Sequence, residues 1–256
     1  MVASPALSRS SADRFYVRMA AACAAIAFSS FTGTYWLQLP AGTFVGRPIV
    51  HLHAFLFSAW MLLFLVQALL IAHGNRRHHQ AWGMLGIALA TAMVFVGLGA
   101  AINSLNIALE AGHGDAARAF FIVSATGVAL FAGLFMAAMA NLRRSDWHKR
   151  LMLVATISLL QAAIARVFFL AITGGGPGLR PGLGPPLPVQ ITIGPGLVAD
   201  LLILVAMAHD MRMNGRPHPA YLWGLAAVLT VQLIRVPLSG TTAWLAVAEF
   251  LRSFSV

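Results

Sequence analysis

The sequence predicts an all-α integral membrane protein of seven transmembrane helices, N-terminus inside and C-terminus outside, with a C-terminal amphipathic helix on the interface. Three observations predict it. Only 9% of the 256 residues are charged and 59% are hydrophobic, whereas a soluble domain carries about 25% charged residues. So few charges cannot clothe a water-facing surface, and lipid must be the solvent. Apolar segments recur seven times, each near the ~20 residues that cross the hydrocarbon. The connections between them alternate between rich and poor in Lys and Arg.

The spans fall near 16–38, 50–72, 81–102, 118–141, 149–172, 195–212 and 219–236, and make one domain covering 1–256. The first follows Arg9, Arg14 and Arg18 and runs to Phe31-Thr-Gly-Thr-Tyr-Trp36. No small-x-small cleavage site follows it, so it is expected to be a retained helix rather than a signal peptide. Arg9, Arg14, Arg18, Arg76, Arg77, Arg143, Arg144, Lys149, Arg150, Arg212 and Arg216 lie on one set of connections. The opposite set holds Arg47, Arg118, Arg180 and Arg252. The positive-inside rule therefore puts the N-terminus in the cytoplasm, and the odd helix count puts the C-terminus outside. The formal charge of +10 reads as topology written in short basic runs, so no nucleic acid is expected as a partner. The single cysteine, Cys23, sits in an apolar stretch and excludes an intrachain disulfide.

Two segments depart from the simple alternation. The connection 173–192 is rich in Gly and Pro and has neither helical period nor strand alternation, the composition of a functional cover or of a plain connection. After Pro237-Leu-Ser-Gly240, the tail 241–254 sets Trp244, Leu245, Ala248 and Leu251 on one helical face and Glu249 and Arg252 elsewhere. That is an amphipathic helix suited to the outer interface.

Ionisable groups inside a bilayer are costly and call for a reason. Asp200, Arg166 and Arg235 all fall in the outer part of their spans, and His51 and His53 open the second span on the same side. Gln161, Gln232, Asn103 and Asn106 belong to the same depth. Together they suggest a net-positive polar pocket open to the outer face, with Asp200 and Arg166 as candidate catalytic residues and Arg235, Gln161, Asn103 and Gln232 as candidate substrate-binding ones. Asp200 and Arg166 are equally readable as an ion pair that satisfies itself, and Arg235 as a side chain snorkelling to the interface.

His51 and His53 are candidate ligands for Cu, Fe or Zn. On a continuous helix an i, i+2 pair points about 200° apart, so both reach one ion only if the helix start is frayed or extended. A haem b between His79 and His148, with a second between His53 and His113, is the further cofactor reading. The only lysine, Lys149, is at an inner connection and excludes a retinal Schiff base within the bundle. Walker, Cys-x-x-Cys, His-Glu-x-x-His and serine-elbow motifs are missing from the sequence.

Four blocks, His51-Leu-His-Ala-Phe-Leu-Phe-Ser-Ala-Trp60 with Gln67, His79-Gln-Ala-Trp-Gly83, Asp146-Trp-His-Lys-Arg-Leu-Met152 and Arg216-Pro-His-Pro-Ala-Tyr-Leu-Trp-Gly224, resemble a family of uncharacterised bacterial inner-membrane proteins. The resemblance implies the seven-helix architecture and the inner membrane, and implies no activity. The shorter His-x-x-x-Gly and His-Lys-Arg-Leu-Met blocks are similar to small membrane proteins of haem and cytochrome-oxidase assembly, which implies a redox role.

The leading expectation is thus a membrane-embedded enzyme or redox protein acting on a small amphipathic or anionic molecule at the outer leaflet, metal- or haem-dependent. Asp200 is its ligand or base, Arg166 and Arg235 hold the anionic end, and the Gly/Pro connection and tail helix cover the mouth. The alternatives are a ligand-binding sensory module without catalysis, and a transporter. The transporter is disfavoured because the inner halves of the spans offer little polarity beyond Gln67, Thr91 and Thr156.

Overall fold

The computed structural model describes residues 5–179 and 184–254, with side chains from residue 14 onward; Arg180 lies outside the described residues. The described residues form helices and no strand: α1 (Pro5–Ser30), α2 (Pro48–Ala72), α3 (Arg76–Glu110), α4 (Gly114–Ala140), α5 (Ser145–Thr173), α6 (Ile193–Asn214), α7 (Pro219–Leu238) and α8 (Thr242–Arg252). A π-helical turn, Thr32–Trp36, follows α1, and a 3-10 turn, Val189–Thr192, precedes α6.

Local chemistry sets the ends. Pro48 and Pro219 open α2 and α7 at the first helical turn, where a missing N–H costs nothing. Gly174 and Gly215 close α5 and α6 in the left-handed region, at φ 76° and 73°, which a residue without Cβ adopts freely. With no proline between Asn75 and Gly112, α3 runs 35 residues, about 52 Å, well beyond the predicted 81–102. Pro237 lies in the last turn of α7 and the helix continues to Leu238.

Among the described residues six helices, α2 to α7, are long and apolar enough to cross a membrane. Their outward faces carry exposed Phe55, Phe95, Met136, Val167, Leu201 and Leu233, the surface lipid covers. α1, which carries Arg14 and Arg18, is not among these six helices. It nevertheless packs on α2 and α5 through a stripe of buried Met19, Ala20, Cys23 and Ala24.

α5 is the axis of the bundle. It touches α1, α4, α6 and α7, and Leu153, Val154, Ala155, Thr156, Ile157 and Leu160 are fully buried. A helix apolar all round is a buried helix. Against it Trp60 donates to Thr156 Oγ1 at 3.3 Å and meets Phe131 edge to face at 5.2 Å. Gly224 lets α7 approach closely, since a Cβ there would lie 3.0 Å from Val154.

At the basic end α5 is clamped to α6. Arg150 donates from Nε and Nη2 to both carboxylate oxygens of Asp210 at 2.7 and 2.8 Å, with both side chains buried. Arg150, one of the cations at the basic end, is thus half of a buried ion pair. Asp210 also accepts from the His218 backbone N–H at 3.3 Å, and His218 Nε2 meets Asp146 at 2.9 Å. The start of α7 is thereby tied into the clamp.

α8 packs on α3 and α4, burying Ala248 completely, with Trp244 and Leu251 against the same apolar cluster. Trp244 Nε1 donates to the Arg118 carbonyl at 2.8 Å. Arg118 Nε donates to Glu249 at 2.6 Å, and Arg252 Nε to Asn106 at 2.8 Å. The amphipathic face is the predicted one, but it seals the α3–α4 end.

Two outcomes follow. Asp210→Asn strands a buried guanidinium and should lower stability by about 3–5 kcal/mol in thermal or denaturant unfolding in detergent. The double change Arg150→Met with Asp210→Leu should recover much of it. Glu249 titrates below its ordinary value, first because Arg118 hydrogen-bonds its carboxylate. Its contribution to α8 docking is thus complete above pH ~4.3 and is lost as pH falls through the lowered folded value. Hydrogen exchange of α8 should speed up only in that acid range, and Glu249→Gln should abolish the dependence.

Candidate functional site

Opposite the clamp, α5, α6 and α7 enclose a second polar group. Gln232 and Arg235 are three residues apart on α7 and share a face, as do Gly196 and Asp200 on α6. Arg235 is 1% exposed. Its Nη2 donates to Thr192 Oγ1 at 2.9 Å and to the Thr192 carbonyl at 3.5 Å, and its Nη1 to Gln161 Oε1 at 3.4 Å. Gln161 Nε2 donates to the same Thr192 carbonyl at 3.0 Å. The 3-10 turn before α6 is therefore held from below by two side chains of different helices.

Beside it, Gln232 Nε2 donates to Asp200 Oδ1 at 3.4 Å. The path exists because residue 196 is glycine: a Cβ there would stand 2.8 Å from the Gln232 amide. Asp200 and Arg235 carry opposite charges on neighbouring helices, and no ion pair within 4 Å joins them. Asp200 Oδ2, Gln232 Oε1 and Arg235 Nε are buried and make no hydrogen bond within the protein. One donor and two acceptors thus stand unmatched in one enclosure. Such a set suits an anion that also carries a hydroxyl or acid proton, accepting from the guanidinium and donating to the carboxylate.

The remaining predicted residues lie elsewhere. The Arg166 guanidinium stands 4.4 Å over the Phe31 ring and is near enough to His53 to act on it electrostatically. His53 packs its ring on Phe57 at 4.1 Å. His51 is exposed, with Nδ1 3.0 Å from the Tyr35 hydroxyl. Because α2 is regular from Pro48, the two imidazoles diverge by about 200° and take different partners, so the frayed start that chelation required is not observed. Asn103 is buried with an unpartnered side-chain nitrogen and joins neither group by a hydrogen bond. Among the described residues no three His, Cys, Asp or Glu side chains are grouped to hold a metal ion. At the basic end His79 and His148 interact electrostatically, while His148 Nδ1 meets the Ala138 carbonyl at 3.0 Å.

Scans against family models, curated proteins and solved structures match nothing.

The residues that sequence reasoning missed are Thr192, Gly196 and the Arg150–Asp210 pair. Gly196 carried a signal, one helical turn before an intramembrane carboxylate. So did Asp210, a carboxylate at a helix C-terminus, where the macrodipole disfavours it unless a cation answers. Thr192 carried none, being the last residue of an irregular connection.

Gly196→Ala should push Gln232 off Asp200 and lower stability by about 1–3 kcal/mol in unfolding experiments. In a Gln232→Ala background the same change should cost nothing, and a persisting cost would mean that another contact is responsible.

Proposed function

We propose that this chain is a seven-span protein of the bacterial inner membrane, N-terminus inside and C-terminus outside, that takes the anionic head of a small amphipathic molecule into the α5–α6–α7 enclosure. α1 counts as the seventh span in this reading, since it packs within the bundle through buried Met19 and Cys23. The orientation follows the charges: the α2–α3, α4–α5 and α6–α7 ends carry Arg76, Arg77, Arg143, Arg144, Arg212 and Arg216, and the other end Arg47, Arg118 and Arg252.

The observation that carries the proposal is the buried Arg235, held by neutral Thr192 and Gln161 with its Nε unmatched. A guanidinium in lipid is costly, and an anion offsets that cost better than hydroxyl and amide oxygens do. Asp200 is the acting carboxylate, with one oxygen held by Gln232 and the other available to accept a proton from the bound molecule. His51 and His53 diverge and take separate partners, so this reading rests on Arg235 and Asp200 and not on a metal held by that pair.

A sensory module is the second reading, favoured by a specific connection. α6 carries Asp200 in the enclosure and Asp210 in the clamp, ten residues and about 15 Å further along. A ligand that moves α6 against α5 therefore loads the Arg150–Asp210 pair at the basic end.

Dodecyl phosphate added to the protein in a neutral detergent should raise its thermal stability, and Arg235→Gln should abolish the shift. Asp200→Asn should retain most of the shift and lose any chemical conversion of a bound molecule. An equal shift in Arg235→Gln would contradict the proposal. Conversion undiminished in Asp200→Asn would remove its catalytic part and leave the sensory reading.

A further inference from the structure

A cleft of about 570 Å³ opens between α4 and α7, within the size range of a ligand site, and is unrelated to the polar enclosure. α4 gives it a small-residue floor in Gly133 and Ala137, α5 closes its base with Leu151, and α7 supplies Ala227 and Val231. A Cβ on Gly133 would meet nothing within 4 Å, so the floor is open rather than filled by a neighbouring side chain. The cleft is almost wholly apolar along the helices and faces the lipid. Its polar mouth lies at the basic end, at Asn141 and Trp147, with Trp223 on the α7 side standing 70% exposed. Tryptophans in such places mark the level of the headgroups.

A second cleft of about 560 Å³ adjoins it, sharing Asn141 and lined by the turn from Met139 to Arg144. Arg143 and Arg144 are both exposed, and neither forms an ion pair with a carboxylate among the described residues. The acid nearest in sequence, Asp146, is engaged by His218. An apolar slot thus rises from the hydrocarbon to a cradle with two uncompensated positive charges at headgroup depth. We infer that the α4–α7 cleft and the Asn141–Arg144 turn together form a binding site for one anionic phospholipid, an acyl chain lying over Gly133 and the phosphate meeting Arg143 and Arg144. The charge at the mouth selects among occupants. A neutral lipid gains nothing from the arginines, and an apolar helix of a second copy would leave them unanswered.

The full chain reconstituted in phosphatidylcholine vesicles with a minor share of phosphatidylglycerol tests this, with one lipid or the other brominated on its acyl chain. Bromine quenches tryptophan at contact, and Trp147 and Trp223 line the cleft. Brominated phosphatidylglycerol should quench out of proportion to its share. Arg143→Gln with Arg144→Gln should reduce that selectivity by roughly ten- to thirty-fold, whereas Arg143→Lys with Arg144→Lys should keep most of it and show that the fold is intact. Gly133→Leu should weaken quenching by both lipids with the arginines present. Selectivity unchanged in the double Gln variant overturns the assignment. So does a Gly133→Leu protein with unchanged quenching and an altered mass by light scattering, which would make the cleft a contact between copies of the chain.

Discussion

A guanidinium in the middle of packed helices has to be answered from all sides, and much of this structure is arranged around answering one. Arg235 is the largest side chain that the bundle buries completely. Its charge is spread over the Thr192 hydroxyl and carbonyl and the Gln161 amide oxygen, with Asp200 on the neighbouring α6 beyond ion-pair distance. Those partners come from α5, from the turn before α6 and from α6 itself. The cation therefore fixes how three helices meet, and glycine at 196 is the clearance that lets Gln232 complete the set.

The two ends of the bundle solve the same electrostatic problem differently. At the basic end Arg150 and Asp210 neutralise each other through two short hydrogen bonds, which leaves no valence for a ligand. At the other end the charges stand apart and polar atoms remain unmatched. The closed pair locks α5 to α6, whereas Asp200 on α6 and Arg235 on α7 form no ion pair with each other. α6 is one continuous helix between the two ends, so in the proposed reading a ligand bound at one end bears on the other. That coupling keeps enzyme and sensor as related readings of a single enclosure.

The apolar architecture was legible because bilayer thickness and helix rise leave few options: the spans from α2 to α7 stand where ~20-residue segments predict them. The ends were less legible. α3 overran its predicted limits because nothing in its sequence stops a helix before Gly112, and lipid sets no stop of its own. Within the site, Arg235, Gln161, Asp200 and Gln232 were brought together from residue type and depth alone. His51 meets Tyr35, His53 packs on Phe57 and Asn103 bonds neither group; which way each side chain faces depends on how its helix is turned about its axis, and composition carries no such information. The clamp escaped notice because Arg150 reads as one more cation in a basic run, and only helix packing shows that it points inward.

A double-mutant cycle between Arg235 and Asp200 tests the central claim most directly. Arg235→Met, Asp200→Leu and their combination would be compared by denaturant unfolding in one detergent. If each charge is what makes the other tolerable in the bundle, each single change strands a buried ion and the double protein is more stable than either. A coupling on the order of 1–3 kcal/mol is the expected result. Strictly additive effects would mean that Arg235 and Asp200 are buried independently, and the shared enclosure would lose its physical basis.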